Sequence, residues 1–249
     1  MINIKKLINM INKKKILVAK DKEHLQRLIE KEMTKHGNDC DLNHIDTSLI
    51  TDMSYLFRNS QFNGNISNWS VSGVKDMKGM FYQSEFCGDI SRWNTSSVTN
   101  MAWMFKSSQF NGDISGWNTS NAKDMNSMFA YSKFNGDISG WITSSVTDMS
   151  WMFESSQFNG DISNWDVCNV ISMNFMFANS QFDGDLSMWK PYEANNLKNS
   201  YTDCNALVPY WTEIESVEDR KNAIEVYHTK NLLEKNVNKT QAVKNNFKI

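Results

Sequence analysis

A repeat solenoid is the fold this sequence predicts, and three observations predict it. Trp69, Trp93, Trp117, Trp141, Trp165 and Trp189 recur every 24 residues without insertion or deletion. Met53, Met77, Met101, Met125, Met149 and Met173 keep the same register, as do the columns that begin at Phe57, Phe62 and Gly64. Composition carries the same signal: 15 Met, 9 Trp and 14 Phe stand beside only 2 Pro in 249 residues, as when a few residue types are reused in fixed roles. One unit of this length cannot bury its own Trp, Met and Phe, so like residues of successive units must stack through a shared core.

The array opens near Asp41. Counting back one repeat from Ile66 and Trp69 reaches Leu42 and Ile45, and counting forward from Met173 and Phe177 reaches Leu197 and Tyr201 in a decayed seventh copy. The solenoid is therefore placed at residues 41–207, with both prolines, Pro191 and Pro209, beyond the last column Trp. Within a unit, Trp165-Asp166-Val167 alternates as a short half-buried strand does. Met173 to Phe177 has the spacing of one helical or 3-10 turn, and Phe110 to Asp113 is turn chemistry.

The unit reads Asp-Ile-Ser-x-Trp-x-(Val/Thr)-Ser-x-Val-Thr-(Asp/Asn)-Met-x-x-Met-Phe-x-x-Ser-x-Phe-Asn-Gly, and in this form it resembles the repeat of BspA-like bacterial proteins, a divergent leucine-rich-repeat group. The resemblance covers about residues 41–207. It implies a leucine-rich-repeat-like solenoid of short parallel β-strands joined by turns, 3-10 or short helices, with a role in adhesion or protein binding.

A stack exposes apolar faces at both ends, and segments of different sequence are expected to cover them. Residues 1–40 read as a basic leader, a short strand at Ile16 to Ala19, and a capping helix from an Asp21 N-cap to about Lys35. Leu25, Leu28, Ile29 and Met33 share one face of that helix and Gly37 lies just beyond it. Residues 208–249 read as a helical cap and tail, with Ser216, Glu218 and Asp219 at the start of an amphipathic helix that carries Ala223, Ile224, Val226, Tyr227 and Leu233. The expected state is a monomer, or a homodimer through a terminal helix.

The formal net charge is only −2, but residues 41–189 hold 7 Lys and Arg against 15 Asp and Glu. An acidic body repels phosphate backbones, so no direct nucleic-acid binding is expected, and the leader Lys5, Lys6, Lys13, Lys14 and Lys15 reads as a solvated tail. Cys40, Cys87, Cys168 and Cys204 form no Cys-x-x-Cys pair, and no signal peptide or membrane span is evident, so a reduced, cytoplasmic location is expected.

His24, His36, His44 and His228 lie at or beyond the margins of the array, which leaves no converging acid, base and nucleophile; no enzymatic activity and no cofactor is expected. Asp89, Asp113, Asp137, Asp161 and Asp185 follow the column Gly. One carboxylate per unit suits capping of turn amides in an adjoining coil better than a calcium shell, so no metal is expected. Asp52, Asp76, Asn100, Asp124 and Asp148 are read in the same way.

Core columns must repeat and recognition columns are free to vary. Two variable sets are therefore the candidate partner-binding residues. Arg92, Asn94, Asn118 and Asp166 flank the column Trp on the expected exposed sheet face, and Tyr55, Trp103, Trp151 and Phe175 form an aromatic edge two residues after the column Met. The expected function is non-enzymatic binding of a protein partner. Two alternatives are an inhibitor from a phage or mobile element that occludes a host nuclease or defence protein, and a bacterial surface adhesin.

Overall fold

Strand β1 (Leu17–Val18) pairs in parallel with β2 (Ile45–Asp46), Leu17 opposite Ile45, so the chain enters by laying its first strand along the first coil. The structure, a computed structural model, describes residues 15–195 and 197–246; Lys5, Lys6, Lys13 and Lys14 of the leader lie outside them. Between the strands runs helix α1 (Lys22–His36). Asp21 caps it by accepting from the His24 amide at 2.7 Å, and Gly37, at φ 84°, closes it by donating to the Met33 carbonyl at 2.8 Å. Leu25 and Ile29 are buried, with Leu28 and Met33 packed beside them. Buried Glu32 meets His44 at 3.2 Å, which ties the helix to the first coil.

From Asp41 onward each 24-residue unit lies on the next, joined by backbone bonds between equivalent positions. Single parallel bridges run Asp52 to Asp76, to Asn100, to Asp124, to Asp148, to Ser172 and to Asn195. In the segment that follows, amides alternate in their use. Those of Met53, Tyr55, Phe57 and Asn59 donate to Asp76, Lys78, Met80 and Tyr82 of the next coil at 2.8–2.9 Å, while those of Leu56, Arg58 and Ser60 close turns onto Met53, Tyr55 and Phe57. Every second amide thus holds the stack and the others hold the coil.

The strand expected at Trp165-Asp166-Val167 does not form. The Trp165 amide closes a turn onto Ile162, and the Asp166 side chain accepts from the Cys168 amide, so this backbone is spent locally and the alternation of Trp165 and Val167 belongs to a turn. Among the described residues, β1 and β2 are the only strands. The Met turn at 173–177 is a run of turns, without a 3-10 or α-helical element.

Side chains follow the backbone into ladders. The rings of Phe57, Phe81, Phe105, Phe129, Phe153 and Phe177 stack at 5.5–5.8 Å within 12° of parallel. A second ladder from Phe62 to Phe182 runs beside it at 6.1–6.4 Å. Trp93 stacks on Trp117, and Trp141 on Trp165 on Trp189, at 6.3–6.4 Å. All of these rings and the column Met side chains are buried.

At the far end Tyr201 extends the Phe57 ladder, 5.3 Å from Phe177, and Trp211, in a 3-10 turn at Tyr210–Glu213, meets Tyr201 edge-on. Helix α2 (Val217–Asn246) docks by its first turns: Arg220 and Ile224 are buried. Val226 and Leu233, which the amphipathic pattern assigns to a packed face, are exposed; Val226 lies between buried Ile224 and Tyr227, which packs on Tyr210 at 4.4 Å, so it is on the outward side of the docked turns. Among the described residues no helix is long and apolar enough to cross a membrane.

A candidate interaction edge

The alternating bonds of the Met turn force a left-handed residue at two places per coil, four residues apart. One column holds Tyr55, Gly79, Trp103, Ser127, Trp151 and Phe175, with φ between 51° and 61°; the other holds Asn59, Gln83, Ser107, Tyr131, Ser155 and Asn179. The amides of Tyr55, Gly79, Trp103, Ser127 and Trp151 donate across to the next coil at 2.8 Å, which locks the conformation. Left-handed backbone suits Gly, Asn and Asp, and costs about 1–2 kcal/mol for a residue with a bulky Cβ substituent. The second column, Tyr131 apart, obeys this preference with small or polar residues. The first breaks it four times, at Tyr55, Trp103, Trp151 and Phe175, all half-buried.

These four and Tyr131 lie along one edge of the stack. Trp151 and Phe175 stack on each other at 5.9 Å and 10°, and Tyr55 and Trp103 line one cleft of about 130 Å³ with Arg58, Tyr82 and Lys106. Gly79 lies beneath the Tyr55 ring, where a Cβ would collide with it. Arg58 sits over Tyr55 and Tyr82, at 5.6 and 5.4 Å from the ring centres. Lys78 lies 4.7 Å above Trp103, and Lys106 lies 5.9 Å from Trp103 and 5.7 Å from Tyr131. The Trp103 indole donates to Asn126 at 2.8 Å, and the Tyr131 hydroxyl to Glu154 at 3.1 Å. The edge is thus a held array of rings with cations laid on their faces.

Sequence columns miss Arg58, Lys78, Tyr82, Lys106 and Tyr131. Arg58, Tyr82 and Lys106 do occupy one column in three consecutive coils, and that variable column was the available signal.

The other candidate set is placed differently. Arg92, Asn94, Asn118 and Asp166 are exposed, but no sheet underlies them. Asn94 accepts from the Ser96 amide at 3.2 Å, Asn118 from the Ser120 amide and hydroxyl at 3.0 and 2.7 Å, and Asp166 from the Cys168 amide at 3.0 Å. These side chains are turn caps, because each lies two residues before the amide it satisfies.

The acidic side chains after the column Gly are engaged within their own coils, while in the other acidic column Asp76 caps the Lys78 amide and also accepts from the Asn100 side chain of the next coil at 3.3 Å. Asp89, Asp113, Asp137, Asp161 and Asp185 accept from the amide two residues on at 2.8–2.9 Å. Amide and hydroxyl donation from Ser91, Ser115, Ser139 and Ser163 holds the first four carboxyls below the usual range. Among the described residues no group of three or more His, Cys, Asp or Glu converges on a site for a metal ion.

Two overlapping stretches of the chain, residues 24–141 and 130–238, match the family described as Mycoplasma protein of unknown function, DUF285. No curated protein and no solved structure matches.

Proposed function

The chain belongs to the DUF285 family of Mycoplasma proteins of unknown function, a family of repeat proteins, and we propose that it is a BspA-like, leucine-rich-repeat-like solenoid acting as a non-enzymatic binding scaffold. Its partner is a protein, engaged through the aromatic edge. One observation carries this reading: Tyr55, Trp103, Trp151 and Phe175 occupy left-handed positions that disfavour them, while the core is complete without them. Backbone strain retained at bulky, half-exposed aromatic residues marks a site maintained for something other than stability. Their rings are already held by neighbouring coils, so little side-chain freedom is lost on binding.

The test uses the purified chain as bait in an extract of its native host. The Trp103→Ala, Trp151→Ala double variant is expected to lose the captured protein by about tenfold or more while its melting temperature stays near that of wild type. The Asn94→Ala, Asn118→Ala variant is expected to keep it. Undiminished capture by the tryptophan variant would sink the assignment.

A further inference from the structure

The geometry points to the cleft of Tyr55, Arg58, Tyr82, Trp103 and Lys106, with Lys78 at its rim, as a receptor for the carboxylates of a short acidic peptide segment of a partner protein. This rests on the aromatic edge being the binding edge.

Charge placement is the first ground. Residues 41–189 carry only 7 basic residues among 15 acidic ones, yet Arg58, Lys78 and Lys106 gather around Trp103 and its neighbours. Elsewhere the lysines near carboxylates pair with them: Lys22 with Asp52 at 3.1 Å, Lys190 with Glu225 at 3.7 Å and Lys221 with Glu193 at 2.7 Å. Among the described residues none of the three cleft cations reaches a carboxylate within ion-pair distance; their neighbours are ring faces. Glu154, in the same column as Arg58, Tyr82 and Lys106 but two coils beyond Lys106, accepts from the Tyr131 hydroxyl. An incoming carboxylate therefore displaces no ion pair at Arg58 or Lys106, while Lys78 also feels the Asp124 carboxylate.

Shape narrows the ligand further. A cleft of about 130 Å³ has room for the carboxylate end of an acidic side chain. The flat faces a base or sugar would stack on are covered by the guanidinium and ammonium groups, leaving charged heads and ring edges to make contacts. A long polyanion would run along the edge to Glu154 and into the field of the acidic body and be repelled, whereas a short acidic segment can stay at the basic cluster. Charge complementarity over a few residues, flanked by the Trp151 and Phe175 rings further along, describes an acidic peptide and not a nucleic acid.

The probe is a fluorescently labelled hexaglutamate peptide, titrated by polarisation against the full chain. We expect saturable binding at about 50 mM salt that weakens several-fold at about 300 mM, as screening of exposed charges requires. The Arg58→Gln, Lys78→Gln, Lys106→Gln variant is expected to bind at least about tenfold more weakly, with an unchanged melting temperature. An oligothymidylate of equal charge is expected not to bind. Absence of saturable hexaglutamate binding, equal binding by the triple variant, or tighter binding of the oligothymidylate would each overturn the inference. If the tryptophan variant loses the host partner but hexaglutamate fails to bind wild type, the edge stands and the acidic-peptide inference falls. If the tryptophan variant keeps the host partner, both fall.

Discussion

The indole N–H of Trp117 donates to the carbonyl oxygen of Ile90, 3.1 Å away in the preceding coil. The same bond links Trp69 to Leu42, Trp93 to Ile66, Trp141 to Ile114, Trp165 to Ile138 and Trp189 to Ile162, at 3.1–3.2 Å. A buried indole needs an acceptor, and a carbonyl at the same place in every coil supplies one. Trp in this column is thus both core and inter-coil tether, which explains why no coil between residues 69 and 189 replaces it with Phe or Leu.

Truncation and conservative replacement at Trp117 should therefore differ. Trp117→Ala removes the largest ring of its coil and is expected to cost about 3–5 kcal/mol in chemical denaturation. Trp117→Phe keeps a ring but loses the tether. The Ile90 carbonyl still accepts from the Trp93 amide at 3.2 Å, so the expected loss is smaller, about 1–2 kcal/mol. A loss below about 1 kcal/mol for the alanine variant would show that the ladder does not hold the coils.

Trp151 supplies the opposite case. Its replacement by Asn forfeits stacking on Phe175 at 5.9 Å but places a favourable residue at φ 56°. Ring contact and relief of strain are each of order 1 kcal/mol, so Trp151→Asn is expected to stay within about 1 kcal/mol of wild type by thermal denaturation. A loss as large as that of Trp117→Ala would make Trp151 a core residue and remove the argument for a binding edge.

The core of this fold is legible in the sequence because the same side chain must serve in every coil. Trp, Met and Phe columns are visible for that reason, as is the N-terminal cap, where Asp21 and Gly37 have local jobs. The left-handed turns are harder to read, since positive φ leaves its mark only where Asn59, Ser107, Ser155 and Asn179 recur, and Gln83 and Tyr131 interrupt them. Alternation at Trp165 and Val167 mimics a strand because turns can also present residues alternately inward. The cation cluster is hardest of all: Lys78 sits in a different column from Arg58 and Lys106, and only stacking brings the three to one cleft.

Asp124 gives a pH-dependent prediction. Burial, with the nearby charges of Asp148 and Asp76, lifts its carboxyl above the ordinary value of 3.8, against the opposing Asn126 amide and Lys78. A carboxyl raised on folding adds stability that is full below the unfolded value and lost as pH rises through the folded one. Ionised Asp124 is then a net cost at neutral pH. Asn100 shows that Asn fits this column, accepting from the Ala102 amide at 3.1 Å. Asp124→Asn is expected to raise the melting temperature at pH 7, with the gain shrinking towards zero below about pH 4. A gain that is absent at pH 7, or that grows on acidification, would contradict the environment assigned to Asp124.

Arg220 decides whether the C-terminal segment caps the stack. The residue is 2% exposed and its guanidinium donates to the carbonyls of Ile214, at 2.9 Å, and Ala194, so one side chain joins the first turns of α2 to the last coil. The surrounding contacts share this joint: Lys221 pairs with Glu193, and Tyr192 bonds Glu225. A buried cation is tolerated here because carbonyl dipoles replace the water it has lost, although burial still pulls its pKa down. Arg220→Ala orphans both carbonyls and leaves a void where a large buried side chain stood, with an expected loss of about 2–4 kcal/mol. Arg220→Lys keeps the charge but lacks the planar fork that reaches two carbonyls at once, so it should recover only part of that loss. Amide exchange separates a cap from a mere attachment: with Arg220→Ala, protection at Phe177 and Asn179, whose amides donate to Ser200 and Thr202, should fall before protection at Phe81 and Phe105. Uniform loss along all coils would instead mean that the stack unfolds as one unit and that its end is not its weak point.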